Sequence, residues 1–299
     1  MQKPSQTEEP PWTILSILKW TTSYFTTHHI ENPRASAEIL LAHVLGFKRI
    51  DLYIRYDQPL VADELARYKA AIRRRVRREP VAYIVGEREF WSRSLIVTPD
   101  VLIPRPETEC LVEVALALLG PAADAAPDPV RLLELGTGSG AVALALAAER
   151  KGAVVLASDR SPAAIEVAMR NARRHDLDQR VHFFCGSWLE CLRPGQRFDM
   201  ILSNPPYIPT AEIARLQAEV ADFEPRRALD GGPDGLDAVR IIIGRAPAHL
   251  RPGGYLLLEI GHDQRSAVAS IAGSSPDFAG SAFRPDYSGH DRIAVLRRK

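Results

Sequence analysis

The sequence predicts a doubly wound α/β domain with a mostly parallel sheet, preceded by a small helical domain and a connecting β-hairpin. Three observations predict it. After residue 130, short apolar runs alternate with helix-like segments, the pattern of a parallel sheet covered by helices on both faces. The first of those runs leads into a glycine-rich turn, Gly136 to Gly140, that opens a helix. The first 80 residues, by contrast, carry only helical spacing interrupted by Pro and Gly.

Each element follows from local residues. Ile14, Leu15, Ile17, Leu18 and Tyr24 recur near helical spacing, Pro33 opens a helix over Ala35 to Leu45 that ends at Gly46, and a third helix runs from Ala62 to Glu79 and stops at Pro80. Between Val81 and Pro104, Glu89-Phe-Trp91 and Leu95-Ile-Val97 are strand-like and flank Ser92-Arg-Ser94, which predicts a hairpin. Pro106 starts a helix reaching Leu119, with Glu107 and Glu109 placed favourably in its first turn. Gly120 to Pro129 reads as a linker. Strands are expected at Val130 to Leu135, Val154 to Ser158, Val181 to Phe184, Met200 to Leu202, Tyr255 to Ile260 and Ile293 to Leu296. Helices at Ala141 to Arg150, Pro162 to His175 and Leu236 to Leu250 separate most of them. The expected organisation is a helical domain over 1–80, a hairpin linker over 81–104 and an α/β domain over 105–299.

Composition narrows the function. With 299 residues, 46% hydrophobic and 25% charged, the chain is an ordinary globular protein able to bury a sizeable core. Its net charge of +1 gives it no overall pull toward nucleic acid or an anionic membrane. Arg67, Lys69, Arg73, Arg74, Arg75, Arg77 and Arg78 nevertheless concentrate +7 on one segment, leaving −6 elsewhere. A solvated helix face is the ordinary reading of such a run, and a docking face for an acidic or RNA-associated partner is the functional one. Cys110, Cys185 and Cys191 are too few for a disulfide framework; with His182 they match no zinc spacing, and His182 to Cys185 looks like a buried strand, so no metal is expected. Met1 to Pro11 lacks the basic start and apolar stretch of a secretory leader, and no uncharged apolar stretch of about 18 residues occurs. A cytoplasmic protein without a membrane partner is the expectation.

Glu134-Leu-Gly136-Thr137-Gly138-Ser139-Gly140 follows a strand and opens a helix, where glycines let backbone amides approach a ligand. Asp159 ends the next strand, where a carboxylate can accept from both hydroxyls of a ribose. The pair predicts a bound nucleoside. Gly136-x-Gly138-x-x-Ala141 also satisfies the loose dinucleotide fingerprint, so a nicotinamide cofactor competes with S-adenosylmethionine at this level. Asn204-Pro205-Pro206-Tyr207 then follows an apolar strand at the carboxyl edge of the sheet, and a dehydrogenase leaves it unexplained. An amide or aromatic amino nitrogen is a poor nucleophile because its lone pair is delocalised. The Asn204 side-chain oxygen and the Pro205 carbonyl can accept its two hydrogens, Pro206 and Pro205 hold the turn without competing donors, and Tyr207 can stack on a flat substrate group. Methyl transfer from a sulfonium needs alignment more than a strong base.

These residues resemble the HemK family, the N5-glutamine methyltransferases of peptide chain release factors. The resemblance covers nearly the whole chain from Arg34. It is carried by Glu89 to Trp91, Leu102-Ile-Pro-Arg-Pro-Glu-Thr-Glu109, Glu134 to Gly140, Asn204 to Tyr207, Glu224-Pro225 with Ala228 to Gly232, Leu258 to Gly261 and Gly289 to Arg292. Asn-Pro-Pro-Tyr alone would also fit adenine-N6 nucleic-acid methyltransferases and a sister family acting on a ribosomal protein. The Arg105 to Glu109 motif and the helical N-terminal region select HemK, and no stacking aromatics interleave the arginine-rich segment as a nucleic-acid surface would suggest.

The resemblance implies a class I S-adenosylmethionine-dependent methyltransferase fold and methyl transfer to the glutamine of a Gly-Gly-Gln tripeptide in release factors. By position, Gly136, Thr137, Gly138, Ser139, Gly140 and Asp159 would contact the cofactor. Trp188 would flank the adenine, with Ser187 where the family often has an acid, and Asn204 would lie where cofactor and glutamine meet. Phe90 is expected either to wall the glutamine pocket or to fill the hairpin core. The N-terminal helices would recognise the folded release factor, since a tripeptide offers little surface. The expected partner is thus a protein substrate, with no stable nucleic acid and a monomeric enzyme.

Overall fold

The computed structural model describes residues 11–120 and 129–299, which form two compact units meeting at Gly86/Glu87. The readings of a leader in residues 1–10 and of a linker over 121–128 lie outside the described residues.

The first unit is helical: α1 (Ile14–Thr27), α2 (Pro33–Leu45), α3 (Arg49–Ile54), α4 (Ala62–Val76) and α5 (Val81–Val85). Thr13 and Ser16 exchange side-chain and backbone bonds that cap α1, Pro33 starts α2, and Gly46 ends it at φ +67. The unit's core gathers Phe25, Leu40, Leu41, Leu52, Tyr68 and Ile72. Buried among them, Glu38 accepts from Arg34 Nε (2.8 Å), Arg49 Nη2 (2.6 Å) and the Tyr53 hydroxyl (2.5 Å). Burial opposes its charge, yet the bonds from Tyr53, Arg49 and Arg34 hold its pKa below the usual carboxylate value.

The arginine-rich segment divides three ways. Arg75 is buried, Arg74 pairs with Glu79 and donates to the carbonyls of Tyr83 and Ile84, and Arg67 pairs with Asp63 and donates to Val44 O. Lys69, Arg73 and Arg77 remain exposed. Val81–Val85, expected among strand-like pieces, is a short helix of this unit, entered after Pro80 and closed by Gly86 at φ +80.

The second unit opens with the hairpin β1 (Glu87–Phe90) and β2 (Arg93–Ile96), followed by α6 (Glu109–Leu119), which a single 3₁₀ turn at Pro106–Thr108 precedes. The hairpin turn holds Trp91 and Ser92 at φ +51 and +55, where Trp91 donates its backbone N–H to Glu109 and its indole N–H to Glu149. Then come β3 (Val130–Leu135), α7 (Ala141–Glu149), β4 (Ala153–Asp159), α8 (Pro162–Arg174), β5 (Val181–Cys185), β6 (Phe198–Ser203), α9 (Ala218–Ala221), α10 (Asp237–Arg245), β7 (Leu250–Glu259), α11 (Arg265–Gly273), β8 (Phe278–Pro285) and β9 (Asp291–Arg298).

Seven of these strands form one sheet among the described residues, in the order β5-β4-β3-β6-β7-β9-β8. The pairs from β5 to β7 are parallel, and β9 joins β7 and β8 antiparallel. The chain steps outward from β3 to β4 and β5, then returns to the other side of β3 with β6. That reversal opens a crevice at the carboxyl ends of β3 and β6. Leu132, Met200, Leu202 and Leu257 face α6 and α7 on one side of the sheet; Leu133, Ile201, Leu256 and Leu258 face α10 and α11 on the other.

At the sheet edges one expectation changes and one strand was not expected. The segment His182 to Cys185 is a strand but not a buried one: β5 is the sheet edge, so His182 and Cys185 are exposed. The opposite edge, β8, escapes the apolar-run criterion because most of its side chains face water.

Candidate active site

The crevice is a cavity of about 710 Å³, within the usual range for a small-molecule site. Gly136, Thr137, Gly138, Ser139, Asp159 and Trp188 line it, as do Asn204 and Pro206. Gly136 stands at φ +73, a left-handed conformation that favours glycine, beside the Trp188 ring and the Asn204 carbonyl. Gly140 does not line the cavity. It opens α7 at φ +85 and lets the helix approach α8, where a Cβ would sit 3.2 Å from Ala168 Cβ.

Asp159 is oriented by the turn itself: Gly138 N donates to its Oδ2 (3.0 Å) and Ser161 N to its Oδ1 (2.9 Å), leaving further lone pairs toward the cavity. Fully buried Asn171 of α8 fastens the turn to the hairpin, donating to the carbonyls of Ser139 (2.9 Å) and Ile96 (3.0 Å) and accepting from Ile96 N (2.7 Å). Glu134 accepts from the Thr137 hydroxyl (2.6 Å) and Ala143 N (3.0 Å), but burial pushes its carboxyl up to about 8. A nearby positive charge would bring it back down. Trp188 holds φ +49, a strained conformation for a bulky residue, of the kind that collects at ligand sites.

The Asn204 turn is built from distant motifs. Gln264 Nε2 donates to Tyr207 O (3.0 Å) and Gly235 O (3.2 Å), Gly231 N donates to Ile208 O (2.9 Å), and a Cβ on Gly231 would strike Pro206 O at 2.8 Å. Arg105 Nη2 pairs with Glu224 Oε1 at 2.5 Å, and Ile103 N donates to Glu224 Oε2 at 3.1 Å, which places the 105–109 motif at the cavity. Asn204 Nδ2 donates to Thr108 Oγ1 (3.1 Å), so the other end of its amide, an acceptor, is free to face a ligand.

Not every expected residue reaches the cavity. Phe90, 2% exposed, fills the core with Leu95, Leu111 and Val112, because its strand turns that face inward. Pro205 and Tyr207 are also absent from the lining. The Tyr207 hydroxyl bonds Glu259 Oε1 (3.4 Å) and its carbonyl accepts from Gln264, so its ring is held by the turn rather than offered for stacking. Thr108, Glu259 and Gln264 lay within or beside quoted motifs without a role; only three-dimensional proximity supplies one.

Parallel strands reversing at β3 and β6, a glycine turn with an acid on the neighbouring strand and a cavity between them define a class I S-adenosylmethionine-dependent methyltransferase. Residues 16–86 match the PrmC N-terminal domain model and residues 128–271 a methyltransferase domain model. A release factor glutamine methyltransferase of Geobacter sulfurreducens is 45% identical over 288 residues, covering 96% of this chain and 98% of its own. One of Xylella fastidiosa is 46% identical over 271 residues, covering 91% and 94%. The chain belongs to the release factor glutamine methyltransferase family. The hMettl16 catalytic domain, crystallised with an RNA hairpin, superposes with a TM-score of 0.57 over 75% of this chain and 81% of its own. At 17% identity it shares the fold alone.

The residues fit the cofactor of that class. An oriented carboxylate suits ribose hydroxyls, the Trp188 ring lining the cavity suits a flat base, and the positive groups of that cofactor would draw the buried Glu134 carboxyl back toward its charged form.

Proposed function

We propose that the protein methylates the side-chain amide nitrogen of the glutamine in the Gly-Gly-Gln tripeptide of peptide chain release factors, using S-adenosylmethionine. The observation that carries this reading is Asn204 held by Thr108 at the cavity, with its acceptor end free beside the turn that holds Pro205. Bound S-adenosylmethionine supplies an electrophilic methyl group on a sulfonium leaving group.

The chain's residues do the rest. Asp159 holds the ribose, the Gly136 to Ser139 backbone approaches the methionine end, and Trp188 flanks the adenine with Ser187 beside it. The Asn204 side-chain oxygen, which lines the cavity, accepts a hydrogen of the glutamine NH2, which raises electron density on nitrogen and aims it along the transfer line. Pro205 and Pro206 stiffen the turn, and Tyr207 anchors it through Glu259 and Gln264.

The helical unit supplies recognition of the folded substrate. Trp20, Ile50, Ile54 and Tyr56 are 46%, 60%, 68% and 53% exposed, apolar surface suited to a protein partner. Among the described residues no helix is long and apolar enough to cross a membrane, and no cluster of metal-ligating side chains occurs. A monomer working in the cytoplasm, with neither stable nucleic acid nor membrane as partner, completes the reading. Incubation with labelled S-adenosylmethionine and, separately, release factor, ribosomal protein and DNA tests it. Label is expected in release factor; label only in nucleic acid or ribosomal protein would refute it.

A further inference from the structure

The two ends of an asparagine amide have nearly the same shape, so something must decide which end faces the substrate. The acceptor role proposed for Asn204, on which this inference rests, requires its oxygen in the cavity and its nitrogen turned away. The nitrogen donates to Thr108 Oγ1 at 3.1 Å. A threonine hydroxyl has one hydrogen, and if that hydrogen pointed at Asn204 it would attract the amide oxygen and reverse the amide.

Glu259, at the end of β7, is placed to prevent this. It is 1% exposed; its Oε1 takes the Tyr207 hydroxyl at 3.4 Å, while its Oε2 completes no hydrogen bond. The Thr108 hydroxyl is close enough to the carboxylate to stabilise its charged form. We infer that Glu259, acting through Thr108, is a positioning residue that holds the Asn204 amide with its oxygen toward the substrate. Ionised Glu259 attracts the Thr108 hydrogen, so Thr108 can only accept from Asn204. Protonated Glu259 becomes a donor itself, frees the Thr108 hydrogen to turn, and favours the reversed amide, whose NH2 would meet the substrate NH2 donor to donor.

The charges around Glu259 set when this occurs. Burial pushes it up to about 7. Thr108 and Arg292 of β9 pull it back, as does Tyr207 beyond β6, while Glu107 beside α6 adds to the rise. Cys110 of α6 also feels Glu259, and Asp286, beyond β8, pairs with Arg292.

The test is kcat against pH for the full chain with S-adenosylmethionine and intact release factor, in the wild type and in Glu259→Leu, Thr108→Val and Thr108→Ser. The wild type should lose kcat as pH falls through about 7. Glu259→Leu and Thr108→Val should each lose about tenfold or more in kcat, flatten that acid limb, and leave KM for S-adenosylmethionine within about twofold. Thr108→Ser, which keeps the hydroxyl, should restore both rate and limb. Unchanged kcat and an intact acid limb in Glu259→Leu would overturn the inference, as would a Thr108→Val enzyme as active as wild type. If Asn204→Ala loses activity while those two variants keep it, only the relay fails; an active Asn204→Ala enzyme removes the acceptor role beneath it.

Discussion

Glu38 in the helical unit and Glu259 in the catalytic unit are equally withdrawn from water, 2% and 1% exposed, and come to opposite protonation preferences. Glu38 receives two arginines and a tyrosine hydroxyl and stays charged. Glu259 has a long bond from Tyr207 and the pull of the Thr108 hydroxyl and Arg292, keeps an oxygen that completes no hydrogen bond, and is drawn by burial toward its neutral form. Burial is common to both; the supply of donors is not. A carboxylate whose partners are complete holds α2 and α3 together, whereas one left short of donors beside a cavity can respond to pH and to its neighbours.

That contrast can be broken at several points. The largest effect is expected at the residue Glu259 is argued to serve: Asn204→Ala should lower kcat about a hundredfold or more while S-adenosylmethionine binding, followed by calorimetry, survives. Next come the two glutamates, each replaced by leucine and followed by thermal or urea unfolding. Glu38→Leu should cost about 1–3 kcal/mol, since its satisfied hydrogen bonds vanish, with kcat unchanged. Glu259→Leu should leave stability equal or raise it by about 1–4 kcal/mol at neutral pH and above, because a poorly paired buried charge disappears. If both destabilise alike, the two carboxylates have the same role.

The pH dependence sharpens the comparison with opposite signs. The lowered pKa of Glu38 contributes stability that is present above the usual carboxylate range and lost as pH falls through its folded pKa. The raised pKa values of Glu259, about 7, and Glu134, about 8, contribute stability that is full below that range and lost as pH rises through those values. Unfolding midpoints measured from acid to alkaline pH should therefore fall less steeply on the alkaline side in Glu259→Leu than in wild type. The smallest effect belongs to the exposed basic residues: reversing Arg73 and Arg77 should leave KM for release factor within about twofold, as a solvated face would. A larger rise would make that face part of the docking surface.

What could be read in the sequence was what lies close together in it. The glycine turn, Asp159 and Asn204 each sit within a few residues of the strand that positions them, and periodicity finds such strands. Partners far apart in the chain left no such trace: Thr108 meets Asn204 across 96 positions, Asn171 meets Ile96 across 75, and Tyr207 meets Glu259 across 52. The aromatics fared differently, because proximity to a motif says nothing about orientation. Phe90 turned inward and the Tyr207 hydroxyl found a carboxylate. The edge strands β5 and β8 were misjudged or missed because half-exposed strands lack the continuous apolar runs of the central ones.

The central claim is that the Asn204 turn activates a glutamine amide of a release factor. Mass-spectrometric mapping of release factor after incubation with S-adenosylmethionine and either wild-type or Asn204→Ala protein tests it most directly. One added methyl on the Gly-Gly-Gln glutamine with wild type, and almost none with the variant, is the predicted result. Methylation elsewhere in the release factor, or equal methylation by both proteins, would contradict it.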